Sequence, residues 1–206
     1  MALENPRERM VYVVDDDPAA RQSVAALAQS HGLPVQTFNS AEDFLAHYQP
    51  QMRGCLVLDV RMNQMSGLDL QEELKQRGST LPVIMITGYA DIPMAVRAMY
   101  NGAVTFLEKP AGDQELWRYI QIALDQEQHL ATIQAQKNEI EANFNSLSTG
   151  EKQVLEKLLA GLPNKAIAVD LDMGLRTVEM RRAIIMKKMQ AGSLAELVRL
   201  IIMIRP

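Results

Sequence analysis

Apolar residues in the first half of the chain fall into short unbroken runs: MVYVV (10–14), PVQTF (34–38), CLVLDV (55–60), LPVIMITG (81–88) and AVTFLEKP (103–110). Runs of this length, apolar at every position, read as strands buried on both faces. Between them the apolar positions recur at helical spacing. PAARQSVAALAQSHG (18–32) ends on a glycine suited to a helix C-cap, SAEDFLAHY (40–48) opens on a capping serine, and SGLDLQEELKQRG (66–78) and DIPMAVRAMYNG (91–102) follow. The alternation predicts an α/β doubly wound fold, a five-stranded parallel sheet with helices on each face.

The second half changes period. From Gly112 to Ser146 there is no proline. Leu116, Tyr119, Ala123, Gln126, Leu130, Ile133, Lys137, Ile140, Phe144 and Leu147 recur by threes and fours, a heptad seam with polar breaks at Gln126 and Lys137. Two readings fit: a helix folded back on its own domain, or a long helix that pairs with a second chain. Residues 147–205 read as four helices, the first with Ser148 and Glu151 at capping-box spacing. A short NKAIAVDL helix, a DMGL turn and a basic RTVEMRRAIIMKKM helix suggest a helix-turn-helix. Composition alone leaves a helical bundle with a solvated basic face equally open. The expected division is 1–124, a linker at 125–146, and 147–206.

Charge sharpens that division. The whole chain carries −4. Residues 1–125 hold 16 acids and 10 bases, a net of −6, whereas residues 148–206 hold 6 acids and 10 bases, a net of +4. An acidic front and a basic back imply two tasks, the back facing a polyanion. The one cysteine, Cys55, excludes an internal disulfide and heads an apolar run, so it reads as a buried thiol. The three histidines are scattered and no zinc spacing exists. No apolar run approaches the roughly 18 residues that span a bilayer. With no signal-peptide pattern at MALENPRERM, a cytoplasmic location without membrane contact is the expectation.

Candidate chemistry gathers where strands end. VYVVDDDP places Asp15, Asp16 and Asp17 after the first strand, which suits either a capped helix or a divalent-cation site. Asp59 lies near the end of the third strand, Thr87 ends the fourth and Lys109 the fifth. Ligands in doubly wound folds sit outside the carboxyl ends of the strands, so these groups converge on one edge. Asp15 and Asp16 can hold a hard cation such as Mg2+, leaving Asp17 as a cap. Asp59 can attack phosphorus, the Thr87 hydroxyl can donate to a phosphoryl oxygen, and the Lys109 ammonium can offset its charge.

VVDDDP, LVLDVRM, MITGYAD and FLEKP, in this order, resemble a response-regulator receiver domain across residues 10 to about 124. The resemblance implies Mg2+ at Asp15, Asp16, Asp59 and the Arg61 backbone carbonyl. It implies phosphorylation of Asp59 by a sensor histidine kinase, with at most intrinsic phosphotransfer and autodephosphorylation, so the chain is not expected to be an enzyme. Thr87 and Phe106 become the switch pair, and a cis Lys109–Pro110 bond is expected. Arg61 and Tyr89, each two residues past a site residue, can shield the acyl phosphate, for a lifetime longer than minutes. Asn63 stands where the family often has proline, and Ala111 where it has an aromatic residue.

LxxxExxVLxxLxAGLxNKxIAxxLxxxxRTVExxR resembles the LuxR/NarL-type DNA-binding domain, so the chain as a whole resembles a FixJ-type two-component regulator. The third helix of the basic end is then expected in the major groove of double-stranded DNA. Glu179, Met180 and Ala183 match base-reading positions. Lys165, Arg176, Arg181, Arg182 and Lys187 are the candidates for phosphate contact, and Thr177 joins the DNA-facing set. Val178, Ile185 and Met189 read as core, with Glu179, Arg182, Ala183 and Met186 opposite. Arg181, Ile184 and Gly174 depart from the family's usual histidine, asparagine and serine. The implied partners are the kinase, DNA, RNA polymerase and, on phosphorylation, a second copy. Two other classes compete: a receiver-linked RNA-binding antiterminator, and an aspartyl phosphatase of the haloacid dehalogenase type. The latter needs its nucleophile after the first strand, and Asp59 follows the third.

Overall fold

The computed structural model describes residues 9–205. Five parallel strands, β1 (Arg9–Val14), β2 (Val35–Phe38), β3 (Arg53–Asp59), β4 (Val83–Thr87) and β5 (Thr105–Glu108), stand in the order β2-β1-β3-β4-β5. The helices between them are α1 (Pro18–Ser30), α2 (Ala41–His47), α3 (Gly67–Gln76) and α4 (Ile92–Tyr100). The order reverses beside β1, which opens a crevice between the ends of β1 and β3.

The strands are apolar throughout because both faces are covered. Met10, Tyr12 and Val14 of β1 point to one side with Leu56, Leu58 and Met85, packing with Phe44, Leu70 and Leu74 of α2 and α3. Val11, Val13, Val57, Ile84 and Ile86 point to the other, against Val24 and Ala28 of α1. Cys55 is fully buried there, as its apolar context predicts, and burial pushes its thiol up to about 12. Strand β3 starts at Arg53, two residues earlier than the apolar run, because Arg9↔Arg53 and Met10↔Gly54 already pair with β1. Gly54 is demanded by that pairing. Its φ is +123°, and an added Cβ would fall 1.8 Å from the Met10 carbonyl oxygen.

Helix α5 runs unbroken from Asp113 to Asn145, 33 residues. The chain divides into two compact units between Ala131 and Thr132, within this helix. The predicted single seam is corrected here. In the first unit the buried face of α5 is Leu116, Ile120, Ala123, Leu124 and Glu127, while Gln126 and Leu130 are exposed. Ile140 and Leu147, with Phe144, instead join the core of the second unit. One spacing therefore serves two separate cores.

The second unit contains α6 (Thr149–Leu159), α7 (Asn164–Asp170), α8 (Leu175–Lys188) and α9 (Leu194–Ile204). Val154, Leu155, Leu158, Ile167, Val178, Ile185, Leu197 and Ile201 form its core. Ser148 and Glu151 make the predicted capping box. Among the described residues, no helix is long and apolar enough to cross a membrane.

Candidate phosphoacceptor site and nucleic-acid interface

Each group of the first site is delivered by the end of a strand. Asp15 follows β1, Asp59 is the last residue of β3, Thr87 the last of β4, and Lys109 follows β5. Asp15 and Asp59 are 1% and 4% exposed, so their charges need partners. Lys109 supplies one to both: its Nζ lies 2.6 Å from Asp15 Oδ2 and 2.7 Å from Asp59 Oδ1. Carboxylate oxygens of Asp15, Asp16 and Asp59 all lie within 4.8 Å of one another. Asp17 is the cap of α1, accepting from the Ala19 N–H, as its place before Pro18 suggests.

Burial pushes the Asp59 carboxyl above its ordinary value. The Lys109 hydrogen bond and charge pull it back, Asp15 adds to the rise, and the Arg61 N–H opposes it. Burial also works against the Lys109 charge, but its bonds to Asp15 and Asp59 outweigh that and hold the ammonium above its ordinary value. Asp59 is thus a buried carboxyl facing a fixed cation, an arrangement in which its carboxylate could act as a nucleophile. Three convergent carboxylates make a hard oxygen donor set, which fits a small divalent cation.

The rest of the predicted site stands nearby. Thr87 is fully buried, and its hydroxyl lies between the Tyr89 N–H at 3.3 Å and the Tyr89 carbonyl at 3.4 Å. Tyr89 is exposed, with the Arg61 guanidinium 4.4 Å from its ring centre. Phe106 is partly buried against the α2–α4 face of the sheet. The Lys109–Pro110 bond is cis, as expected.

Sequence reasoning missed three supports. Asn63 donates to Asp16 Oδ2 from its side chain at 2.9 Å and its backbone at 3.3 Å, which aims that carboxylate. Arg21 donates to the Asp15 carbonyl at 2.5 Å. Gly67 lets the start of α3 rest on the backbone of Asp59, since an added Cβ would sit 2.0 Å from the Asp59 carbonyl oxygen. Asn63 stood out in the sequence only as a departure from a proline; nothing local marks the other two.

In the second unit, Val178, Ile185 and Met189 are core as predicted. Met186 is a correction: it packs partly against that core instead of facing outward with Glu179. Glu179, Met180, Ala183, Arg176, Lys187 and Lys165 are exposed, and Thr177, Arg181 and Arg182 half-buried. Arg181 turns inward, donating to the Gly150 carbonyl at 3.3 Å and touching the Met173 sulfur at 3.1 Å. Arg182 donates to Asn164 Oδ1 at 3.1 Å. The N-termini of α7 and α8 have no side-chain cap.

Comparison with known proteins agrees with this geometry. Residues 11–121 match the response regulator receiver domain, and residues 145–201 match the luxR family of bacterial regulatory proteins. The transcriptional regulatory protein FixJ of Bradyrhizobium diazoefficiens is 45% identical over 92% of this chain and 93% of its own. The response regulator protein TodT of Pseudomonas putida is 42% identical over 94% and 85%. Among solved structures, response regulator StyR superposes with a TM-score of 0.84 at 42% identity, covering 94% of this chain and 98% of that one. Full-length FixJ from B. japonicum gives 0.58 at 44% identity, over 95% and 97%. Neither the antiterminator nor the phosphatase class finds support in these matches.

Proposed function

Because this chain belongs to the FixJ-type response regulators, a receiver joined to a LuxR-type DNA-binding domain, we propose that Asp59 is its phosphoacceptor and that phosphorylation there controls transcription. An Asp59 carboxylate oxygen attacks the phosphorus of a phosphohistidine on a sensor kinase. The new O–P bond makes an acyl phosphate as the P–N bond breaks, and the electron pair leaves with the imidazole. Asp15, Asp16, Asp59 and the Arg61 carbonyl would hold Mg2+, which offsets phosphoryl charge when bound.

The chain's own groups supply the rest. Lys109 exchanges one Asp59 oxygen for a phosphoryl oxygen as negative charge grows. Thr87 gives up its bonds with Tyr89 and donates to the phosphoryl group, and Phe106 follows it inward. Arg61 and Tyr89 cover the acyl phosphate and slow its hydrolysis, which together with phosphotransfer onto Asp59 is all the chemistry the chain performs. The observation that carries this reading is the Lys109 ammonium shared between Asp15 and Asp59.

The consequence is assembly. The surface of α4, β5 and α5 pairs with a second copy, which brings two LuxR-type units to adjacent half-sites. Glu179, Met180 and Ala183 face base edges; Lys165, Arg176 and Lys187, with Thr177 and Arg182, face phosphates. Arg181 has less reach, since it is engaged with Gly150. The functional division is 1–124, 125–146 and 147–206, in a cytoplasmic protein whose bound dimer contacts RNA polymerase. Intact-mass measurement with acetyl phosphate and Mg2+ tests the core of this. Wild type gains one phosphoryl group and Asp59→Asn gains none; uptake by Asp59→Asn would assign the acceptor elsewhere.

A further inference from the structure

Helix α4 is thinly packed. Among its described residues only Ala98 is buried, while Met94 packs partly against the core. Ile92, Val96, Met99 and Tyr100 point outward, Ile92 and Tyr100 at 80% and 85% exposure. One small methyl and part of one methionine give a helix little apolar anchorage.

Its polar anchorage comes from α3. Arg97 forks to two carboxylates: Nε donates to Glu72 Oε1 at 2.8 Å, and a terminal nitrogen donates to Asp69 Oδ1 at 2.8 Å. The Asn101 side chain donates to the same Glu72 oxygen at 3.0 Å. The buried Gln71 side chain donates to the Ala98 carbonyl at 3.1 Å, and its own Oε1 has no protein partner. Arg97 and then Asn101 hold the Glu72 carboxyl below its ordinary range; Ser66 and then Arg97 do the same for Asp69.

Both ends of this join lead back to the phosphoacceptor. Helix α3 begins at Gly67, whose N–H donates to the carbonyl of Val60, one residue past Asp59. The loop into α4 is tied to Thr87 through the two Tyr89 contacts.

We propose that the fork of Arg97 onto Asp69 and Glu72, completed by Asn101 and Gln71, is a latch between α3 and α4 that restrains the outward face of α4 from rearranging to pair with a second copy. The proposal rests on the assembly reading given above. Phosphorylation loosens the α4 loop at Thr87, and the latch sets how much of that loosening becomes movement. Exposed ion pairs are individually weak, so the latch is a bias and not a lock. Weak restraint suits a switch that one phosphoryl group must overcome.

The test uses full-length protein, wild type and Arg97→Ala, each also in an Asp59→Asn background. Hydrogen exchange of residues 92–101 reads the restraint on α4. Sedimentation with Mg2+, with and without beryllofluoride, reads assembly. Arg97→Ala is expected to speed exchange in α4 and to lower the dimerisation midpoint about threefold to tenfold without beryllofluoride, including in Asp59→Asn. Arg97→Lys keeps the charge but cannot fork to both carboxylates, and falls between. If Arg97→Ala melts below the working temperature, Arg97→Lys decides by the same readings. Unchanged exchange in α4, or faster exchange with no shift in dimerisation in either background, overturns the latch. Because assembly is also read in Asp59→Asn, the latch is judged without Asp59 chemistry. A wild type indifferent to beryllofluoride counts against the phosphoacceptor reading alone.

Discussion

At the residue scale, the first site is a balance between burial and one shared cation. Asp15 and Asp59 face each other across Lys109, and the ammonium is held above its ordinary value by both. A phosphoryl group on Asp59 would add further negative charge to this pocket, so the groups around it would govern how long the product survives. On the proposed reading, the Arg61 guanidinium over the Tyr89 ring is a cover that water must displace. Wild-type acyl phosphate is expected to last longer than minutes, and Arg61→Ala with Tyr89→Ala to shorten it about threefold or more, an effect worth ~0.7 kcal/mol. Phosphate release after removal of acetyl phosphate measures both, and a wild-type decay in seconds rejects the shield. Asp15, Asp59, Thr87 and Lys109 were legible because each is a chemical group at a strand end. Asn63 was not, because what it aims depends on how the loop after β3 folds back to Asp16.

At the element scale, Glu127 decides where α5 belongs. It is 4% exposed and pairs with Arg53 and Arg9, the residues that open β3 and β1. A heptad reading chose its neighbour Gln126, because periodicity assigns a carboxylate to solvent and sees no distant arginine. Glu127→Ala leaves both guanidinium groups without their buried carboxylate. It is expected to cost about 2 kcal/mol, less than a fully buried pair because each arginine is about one-third exposed. Urea unfolding measures it, and a loss under about 0.5 kcal/mol means that solvent replaces the pair.

Helix α6 carries a pH dependence. Lys188 first, then the Ser148 N–H, hold the Glu151 carboxyl below its ordinary value of 4.5. A carboxyl whose folded pKa is depressed adds stability above its unfolded pKa, and that stability fades as pH falls through the folded value. Glu151→Gln is expected to lose about 1 kcal/mol at neutral pH, as for other lost caps, with the gap to wild type closing below about pH 4. Denaturation across this range checks it, and a gap independent of pH would assign the loss to packing.

At the scale of the whole molecule, the division between an acidic front and a basic back survives folding. The second unit spends part of its positive charge internally: Lys188 on Glu151, Arg205 on Glu156 and Lys157 on Asp170. Composition could count those cations but not subtract the ones already committed. Arg176, Lys165 and Lys187 stay exposed. Arg176→Ala is expected to weaken binding to all duplex sequences alike and lower the slope of log affinity against log salt by about 1. Glu179→Ala is expected instead to change the order of preferred sites. Equilibrium titrations on a panel of duplexes at several salt concentrations separate the two, and a sequence-dependent effect of Arg176→Ala would move it to the base-reading group.

The two glycines that touch backbone have a further consequence for anyone who maps tolerance by saturation mutagenesis. Gly67 rests on the Asp59 carbonyl and Gly54 on that of Met10, each with no room for a methyl group. Neither contributes a charge, a hydroxyl or a ligand atom. A library scored for transcriptional output would nevertheless rank them beside Asp59, and a list of essential positions drawn from such scores would mix reactive groups with empty space that the backbone requires. Scoring the same library for folded protein would part them: Gly54 and Gly67 variants drop out of both, while Asp59→Asn drops out of only one.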